Sequence, residues 1–225
     1  FGIDKIIFSS TAAVYDKSKK LLKENYRLKP ISNYGKSKLL AEKEIIDNKK
    51  INFVILRFFN VAGSINKSSI GEFHDPETHL IPVSVFRVLN DRVINIFGSN
   101  YQTIDGTCVR DYVHVKDICS AIRRSIFYVK KNKSLVINIG SGEGTSNKDV
   151  ILTLKKIINK KIKTVFLNKR KGDQPALVCN IEKAKKQLKW KPRFSKIDNI
   201  LKDEIKWSKF LIKKKLIRKY LSVQK

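Results

Sequence analysis

The chain has 225 residues, 42% of them apolar, enough to bury a core in one large domain or one and a half. Its 48 basic and 20 acidic side chains give a net charge of +28, yet Lys outnumbers Arg 38 to 10, and the Lys residues are scattered through an Ile- and Asn-rich chain as A+T-rich codon usage scatters them. Base readout and bidentate phosphate recognition favour Arg, so the composition argues against a specific nucleic-acid partner, and no apolar run approaches the roughly 18 residues that span a bilayer.

The first element is a strand from Lys5 to Ser9, whose apolar centre Ile6-Ile7-Phe8 runs out into the hydroxyls Ser9, Ser10 and Thr11. Ser32 to Asn48 follows as a helix with Ser32 or Asn33 as N-cap and apolar positions at Leu39, Leu40, Ile45 and Ile46. The apolar run from Phe53 to Phe58 is too short for a helix and reads as a second strand. Leu80 to Leu89 forms a helix, Val93 to Phe97 and Val136 to Ile139 form strands, and Asn147 to Ile158 forms a helix after the turn Gly140-Ser-Gly-Glu-Gly144. Beyond Asn159 a smaller, helix-rich segment is expected, with a basic tail from Lys213 to Lys219 as a solvated helix face. Strands alternating with helices imply an α/β architecture built on a parallel sheet.

Cys108, Cys119 and Cys179 have no CxxC spacing and cannot all pair, so they read as small buried side chains in a reducing compartment, and cytoplasm is the expected location. The chain contains no Met and opens just ahead of its first strand, which leads to the expectation that these residues belong to a longer protein.

In an open parallel sheet, ligands sit at the carboxyl ends of the strands, where Ser9, Ser10 and Thr11 emerge. Tyr34 and Lys38 stand at i and i+4 and therefore share one helix face. An ammonium held near a phenol favours the phenolate, drawing the pKa down from about 10, so Tyr34 becomes a base and the Thr11 hydroxyl a second partner for the same substrate oxygen. His74, Asp75 and His79 bring metal-ligating side chains close together, but their spacing fits no common ligand motif and no metal is expected. His114 is read as orienting a loop, with Asp111 and Asp117 structural, for example capping a helix that begins near Lys116.

The segments FSSTAAVY, NYGKSKLLAEK and LRFFNVAGS resemble the extended short-chain dehydrogenase/reductase family, NAD-dependent enzymes acting on nucleotide sugars. IFGSNYQTIDGTCVRDYVHVKD, NIGSGEGTSNKDVI and RKGDQPALVCNIEKAKKQLKW extend that likeness over nearly the whole chain and narrow it to members that invert C4 of a UDP-hexose. The resemblance implies NAD as cofactor and a UDP-hexose as substrate. It implies interconversion of UDP-glucose and UDP-galactose through a 4-keto sugar, as galactose metabolism requires, and a homodimer when complete. On it, Thr11, Tyr34 and Lys38 are catalytic, and Ser9, Ser10, Tyr34, Lys38 and Phe59 contact the cofactor. Asn60, His79, Leu80, Ile96, Phe97, Arg110, Arg170, Asp173 and Leu177 join Thr11 around the substrate. The two arginines suit the diphosphate, Ile96 and Phe97 the uracil pocket, Asp173 the ribose or uracil donors, and Leu177 the wall near C2 of the hexose.

Family members open with a Gly-rich GxxGxxG turn and a ribose-binding acid, and this chain carries neither. The expected fold is therefore a partial Rossmann-type, doubly wound parallel sheet, its first half missing, with a smaller carboxyl-terminal α/β substrate domain. Residues 1–64 are assigned to the NAD-binding part, interleaved with parts of 80–140, and residues 65–225 mainly to the UDP-sugar-binding part. The alternatives are another nucleotide-sugar member, such as a 4,6-dehydratase or a uronate epimerase, and a remnant without catalysis. A dehydratase calls for an acidic pair beside Thr11, where this chain has Ala12 and Ala13.

Overall fold

The computed structural model describes residues 2–18, 21–65, 70–161, 163–170 and 172–216. In chain order they form β1 (Lys5–Thr11), a 3-10 turn (Ala12–Val14), α1 (Asn33–Asp47), β2 (Asn52–Phe58), β3 (Asn60–Ala62), α2 (Leu80–Leu89) and β4 (Ile94–Phe97). There follow β5 (Val109–His114), α3 (Val115–Val129), β6 (Leu135–Ile139), β7 (Gly144–Ser146) and α4 (Asn147–Ile158), then β8 (Thr164–Leu167), β9 (Ala176–Leu177), α5 (Glu182–Gln187) and α6 (Ile197–Lys213).

β1, β2 and β6 make a parallel sheet in that order. β1 runs past its expected end at Ser9 because its ladder to β2 continues from Lys5↔Asn52 to Thr11↔Phe58, and a polar side chain does not end a strand whose backbone is still paired. In β2, Val54 and Leu56 pack with Ile137 and Ile139 of β6 and with Ile118 and Ala121 of α3, while Arg57, one step out of phase, meets Glu42 of α1 on the other face. Helices thus cover both faces of the sheet, and double coverage is why β2 reads as a continuous apolar run rather than as an alternation.

A second core joins Ile81, Val85 and Val88 of α2 to Val150, Ile151 and Leu154 of α4 and to Ile200, Leu201 and Ile205 of α6. β4 and β8 form a separate parallel ribbon, and β5 lies between β3 and β7 while also pairing with β9. The loose segment expected after Asn159 thus contains strands β8 and β9 as well as helices. Cys108 and Cys179 are buried as expected, whereas Cys119 is exposed on α3. Among the described residues no helix is long and apolar enough to cross a membrane. Lys213, Lys214 and Lys215 of the basic tail are exposed, and residues 217–225 lie outside the described residues.

Candidate functional site

Thr11 is the last residue of β1 and caps the 3-10 turn, its Oγ1 accepting the Ala13 N–H at 3.1 Å. Helix α1 starts on top of this turn, with Ser32 Oγ accepting the Gly35 N–H at 3.0 Å. Gly35 is buried, and a Cβ there would lie 2.4 Å from the Ala13 carbonyl oxygen, so only glycine lets the helix settle on the strand end. The Tyr-Gly-Lys sequence thereby sets the exposed Tyr34 beside the end of β1. Lys38 Nζ donates to the Ser9 carbonyl at 3.0 Å, 4.9 Å from the centre of the Phe8 ring and 5.9 Å from that of Tyr34. The ammonium is therefore tied to the same strand end as Thr11.

Ser10 turns the other way. Its hydroxyl donates to Glu42, whose carboxylate also pairs with Arg57 Nη2 at 2.7 Å, all three side chains being buried. Arg57 Nη1 donates to Tyr15 Oη at 2.9 Å and to the Glu24 carbonyl at 3.0 Å, and Tyr15 Oη donates to Asn138 Oδ1 at 2.7 Å. Burial pushes the Tyr15 phenol up to about 12, so it stays a neutral donor. This network ties β1, α1, β2 and β6 together, with the Ser10 hydroxyl engaged by Glu42. Phe59 is 5% exposed and packs with Ala12, Val14 and Tyr15, while Leu177 of β9 borders the same cluster. Asn60 begins β3 half-buried.

A second group of expected residues meets in a cleft of about 70 Å³ lined by Thr78, Leu80, Phe97, Asn147, Arg170 and Asp173, among others. Arg170 lies over the Phe97 ring at 3.8 Å and is otherwise exposed. Arg110 donates to the Gln174 carbonyl at 2.7 Å and reaches Asp173 Oδ1 at 3.5 Å, which brings it to the rim through Asp173. Ile96 is 1% exposed and belongs to the α2/α4/α6 core: along β4, burial alternates, so Phe97 takes the cleft side and Ile96 the opposite one.

His79 stands at the mouth of α2 with its Nδ1 against Glu72 Oε1 and 3.4 Å from Glu77 Oε1. Hydrogen bonds to Glu72 and then Glu77 raise its pKa to about 10, against the cost of burial. His74 joins the same carboxylates, its Nδ1 lying 2.9 Å from Glu72 Oε1 and 3.5 Å from Glu77 Oε2. The group that converges is Glu72, His74, Glu77 and His79, not the trio with Asp75 considered from the sequence. The two glutamates are not marked out by a motif in the sequence, because the run from Glu72 to His79 matches no common ligand spacing. The signal was present as alternating Glu and His positions between Glu72 and His79.

The supporting acids have structural tasks. Asp111 is fully buried and accepts the Ser141 N–H at 2.6 Å, the Gly142 N–H at 3.0 Å and the Cys179 N–H at 3.2 Å, and burial raises its pKa. Asp117 does not cap α3, as the sequence suggested. That place belongs to His114, whose Nδ1 accepts the Lys116 N–H at 3.0 Å, while Asp117 receives the Arg193 and Phe194 N–H groups at 2.9 and 2.8 Å. His114 Nε2 lies 3.2 Å from Asp203 Oδ2, so the ring fastens the start of α3 to α6 rather than orienting a loop.

Residues 1–140 match the model of the NAD dependent epimerase/dehydratase family. The chain is 41% identical over 215 residues to a UDP-glucose 4-epimerase of Lacticaseibacillus casei, covering 92% of this chain and 64% of that protein. Among solved structures it is similar to the UDP-glucose 4-epimerase from Brucella ovis in complex with NAD, with a TM-score of 0.84 and 32% identity over 90% of this chain and 64% of that one. It is also similar to the UDP-Glc/GlcNAc 4-epimerase from Campylobacter jejuni, with a TM-score of 0.75 and 37% identity over 93% and 65% of the two chains. The chain therefore spans a little under two thirds of the length of the curated relatives it matches.

Proposed function

The chain belongs to the NAD dependent epimerase/dehydratase family, and within it we propose that the protein inverts C4 of a UDP-hexose with NAD, interconverting UDP-glucose and UDP-galactose. The observation that carries this reading is the joint placement of Thr11, Tyr34 and Lys38 at the carboxyl end of β1, with the Lys38 ammonium held on the Ser9 carbonyl and Tyr34 exposed. Similarity to epimerases that carry the same activity in their names supports it.

Tyr34 and Lys38 suit the nicotinamide end of the cofactor, with Phe59 packed on the turn that follows β1, because an exposed phenol and a tethered ammonium front the strand end while the Ser10 hydroxyl faces Glu42. When bound, NAD supplies the acceptance of hydride from C4 and its return to the other face. Tyr34 takes the proton from O4 and gives it back after the 4-keto sugar has turned. Lys38, held on the Ser9 carbonyl with its ammonium 5.9 Å from the centre of the Tyr34 ring, keeps a positive charge beside that proton acceptor. Thr11 Oγ1 already accepts the Ala13 N–H, so its own proton is free to be donated to O4 as negative charge develops there. Arg170, stacked on Phe97, presents its donors to the substrate diphosphate, and Arg110 and Asp173 border the nucleotide at the cleft rim.

A second substrate, the 2-acetamido sugar, is favoured by one observation: Leu177, neither aromatic nor polar, borders the cluster that contains Phe59. Incubating the full-length protein with NAD and UDP-galactose, and following UDP-glucose by anion-exchange chromatography, tests the main reading. Turnover of a UDP-uronate or a 4,6-dehydration in place of that conversion overturns it.

A further inference from the structure

We propose that Glu72, His74, Glu77 and His79 bind a divalent transition-metal cation of the Zn²⁺ class, which clips the loop leading into α2. Their ligand atoms all lie within 4.8 Å of one another. Three of the separations among imidazole nitrogens and carboxylate oxygens, 2.9 Å, 3.5 Å and 3.4 Å, lie around the edge of a tetrahedron around Zn²⁺, about 3.4 Å for bonds of about 2.0–2.1 Å, while His79 Nδ1 and Glu72 Oε1 sit closer as a hydrogen-bonded pair that a bound ion would replace. Two imidazole nitrogens with two carboxylates suit Zn²⁺ better than Mg²⁺ or Ca²⁺, which prefer oxygen throughout.

The donors are fixed by bonds of their own. Glu77 Oε1 accepts the Thr78 and His79 N–H groups, each at 2.8 Å, which steadies the carboxylate. Trp207 Nε1 donates to the Glu72 carbonyl at 2.7 Å, and a Cβ on Gly71 would strike the Trp207 ring at 2.6 Å, so the loop lies flat on α6. Such supports orient metal ligands and raise affinity. Independently, Glu204 of α6 is 1% exposed, its Oε2 has no hydrogen-bond partner among the described residues, and it interacts electrostatically with Glu72 and Glu77. A cation between those two glutamates offsets the crowding of three carboxyl groups. Clipping the loop holds Thr78 and Leu80, two walls of the nucleotide cleft, in place.

The test uses the full-length protein, purified without a histidine tag and stripped with EDTA, titrated calorimetrically with ZnCl₂ and assayed for metal after gel filtration. One equivalent of zinc is expected, with visible absorption of tetrahedral intensity when Co²⁺ replaces it. His74→Ala and Glu72→Gln should each weaken binding roughly tenfold or more; Asp75→Asn should leave it unchanged. Circular dichroism checks that each variant remains folded, and His74 is exposed enough for its removal to be tolerated. No saturable binding, or binding that survives His74→Ala, or an equal loss in Asp75→Asn, overturns the site.

Discussion

Gly35 touches the carbonyl of Ala13 so closely that a Cβ would lie 2.4 Å from its oxygen, and this contact sets where Tyr34 stands relative to Thr11. Gly35→Ala should therefore move the first turn of α1 outward. We expect a loss of about 1–3 kcal/mol of stability, as for other overpacked sites, and a fall in kcat larger than any rise in KM. Thermal unfolding and steady-state kinetics on one preparation measure both, and an unperturbed kcat would show that the contact does not place the phenol.

Tyr34→Phe keeps the ring and removes the proton acceptor. Turnover should drop about 10²–10⁴-fold while UDP-hexose affinity stays within a few-fold. Lys38→Met removes the bond to the Ser9 carbonyl as well as the charge, so it should weaken both turnover and NAD affinity. Binding calorimetry beside single-turnover rates separates the two patterns, and a Tyr34→Phe protein as fast as wild type would remove the tyrosine from the chemistry.

The pair of Tyr34 and Lys38 was legible in the sequence because a spacing of four residues has one geometric meaning on a helix. Phe97 and Ile96 were not separable, since an isolated four-residue strand gives no sign of which alternate side chain faces the core. β5 was missed altogether: its Arg110 and Asp111 look like loop residues until Asp111 is seen receiving three backbone N–H groups. Nor could the sequence show that Ser10 points inward, because its partner Glu42 lies 32 residues along the chain and is itself held by Arg57 only through the α1–β2 packing. Local pattern reveals faces and caps; pairings closed by tertiary contact are invisible to it.

Burial holds the His114 imidazole below its ordinary pKa, although Asp203 and Asp117 pull it upward, with Lys116 acting in the same direction as burial. The unfolded chain then binds the proton more readily than the native one, so this residue's contribution is present above about pH 6.5 and is lost as the pH falls below it. Urea unfolding at several pH values should show His114→Gln less stable at neutral pH, by about 1 kcal/mol for the lost cap, but with a shallower decline on acidification. Parallel slopes for variant and wild type would contradict the assignment.

Leu177 pairs with Arg110 across β5 and β9 and borders the cluster around Phe59. If it walls the space beside C2 of the hexose, Leu177→Tyr should lower kcat/KM for the UDP-N-acetylhexosamine relative to the plain UDP-hexose by one to two orders of magnitude, about 1–3 kcal/mol. An unchanged ratio would leave Leu177 as packing alone.

The Glu42–Arg57 pair has a bearing on how this chain can change over generations. Both side chains lie out of water, and loss of either strands the other's charge at a cost of about 3–5 kcal/mol, a large part of a domain's whole stability. Drift by single steps is therefore blocked at these two positions, and the passable route is a joint replacement by apolar residues that also releases Ser10 and Tyr15 from their present partners. Relatives that have taken that route should differ at four places at once, in the strand that carries Thr11 and the helix that carries Tyr34 alike.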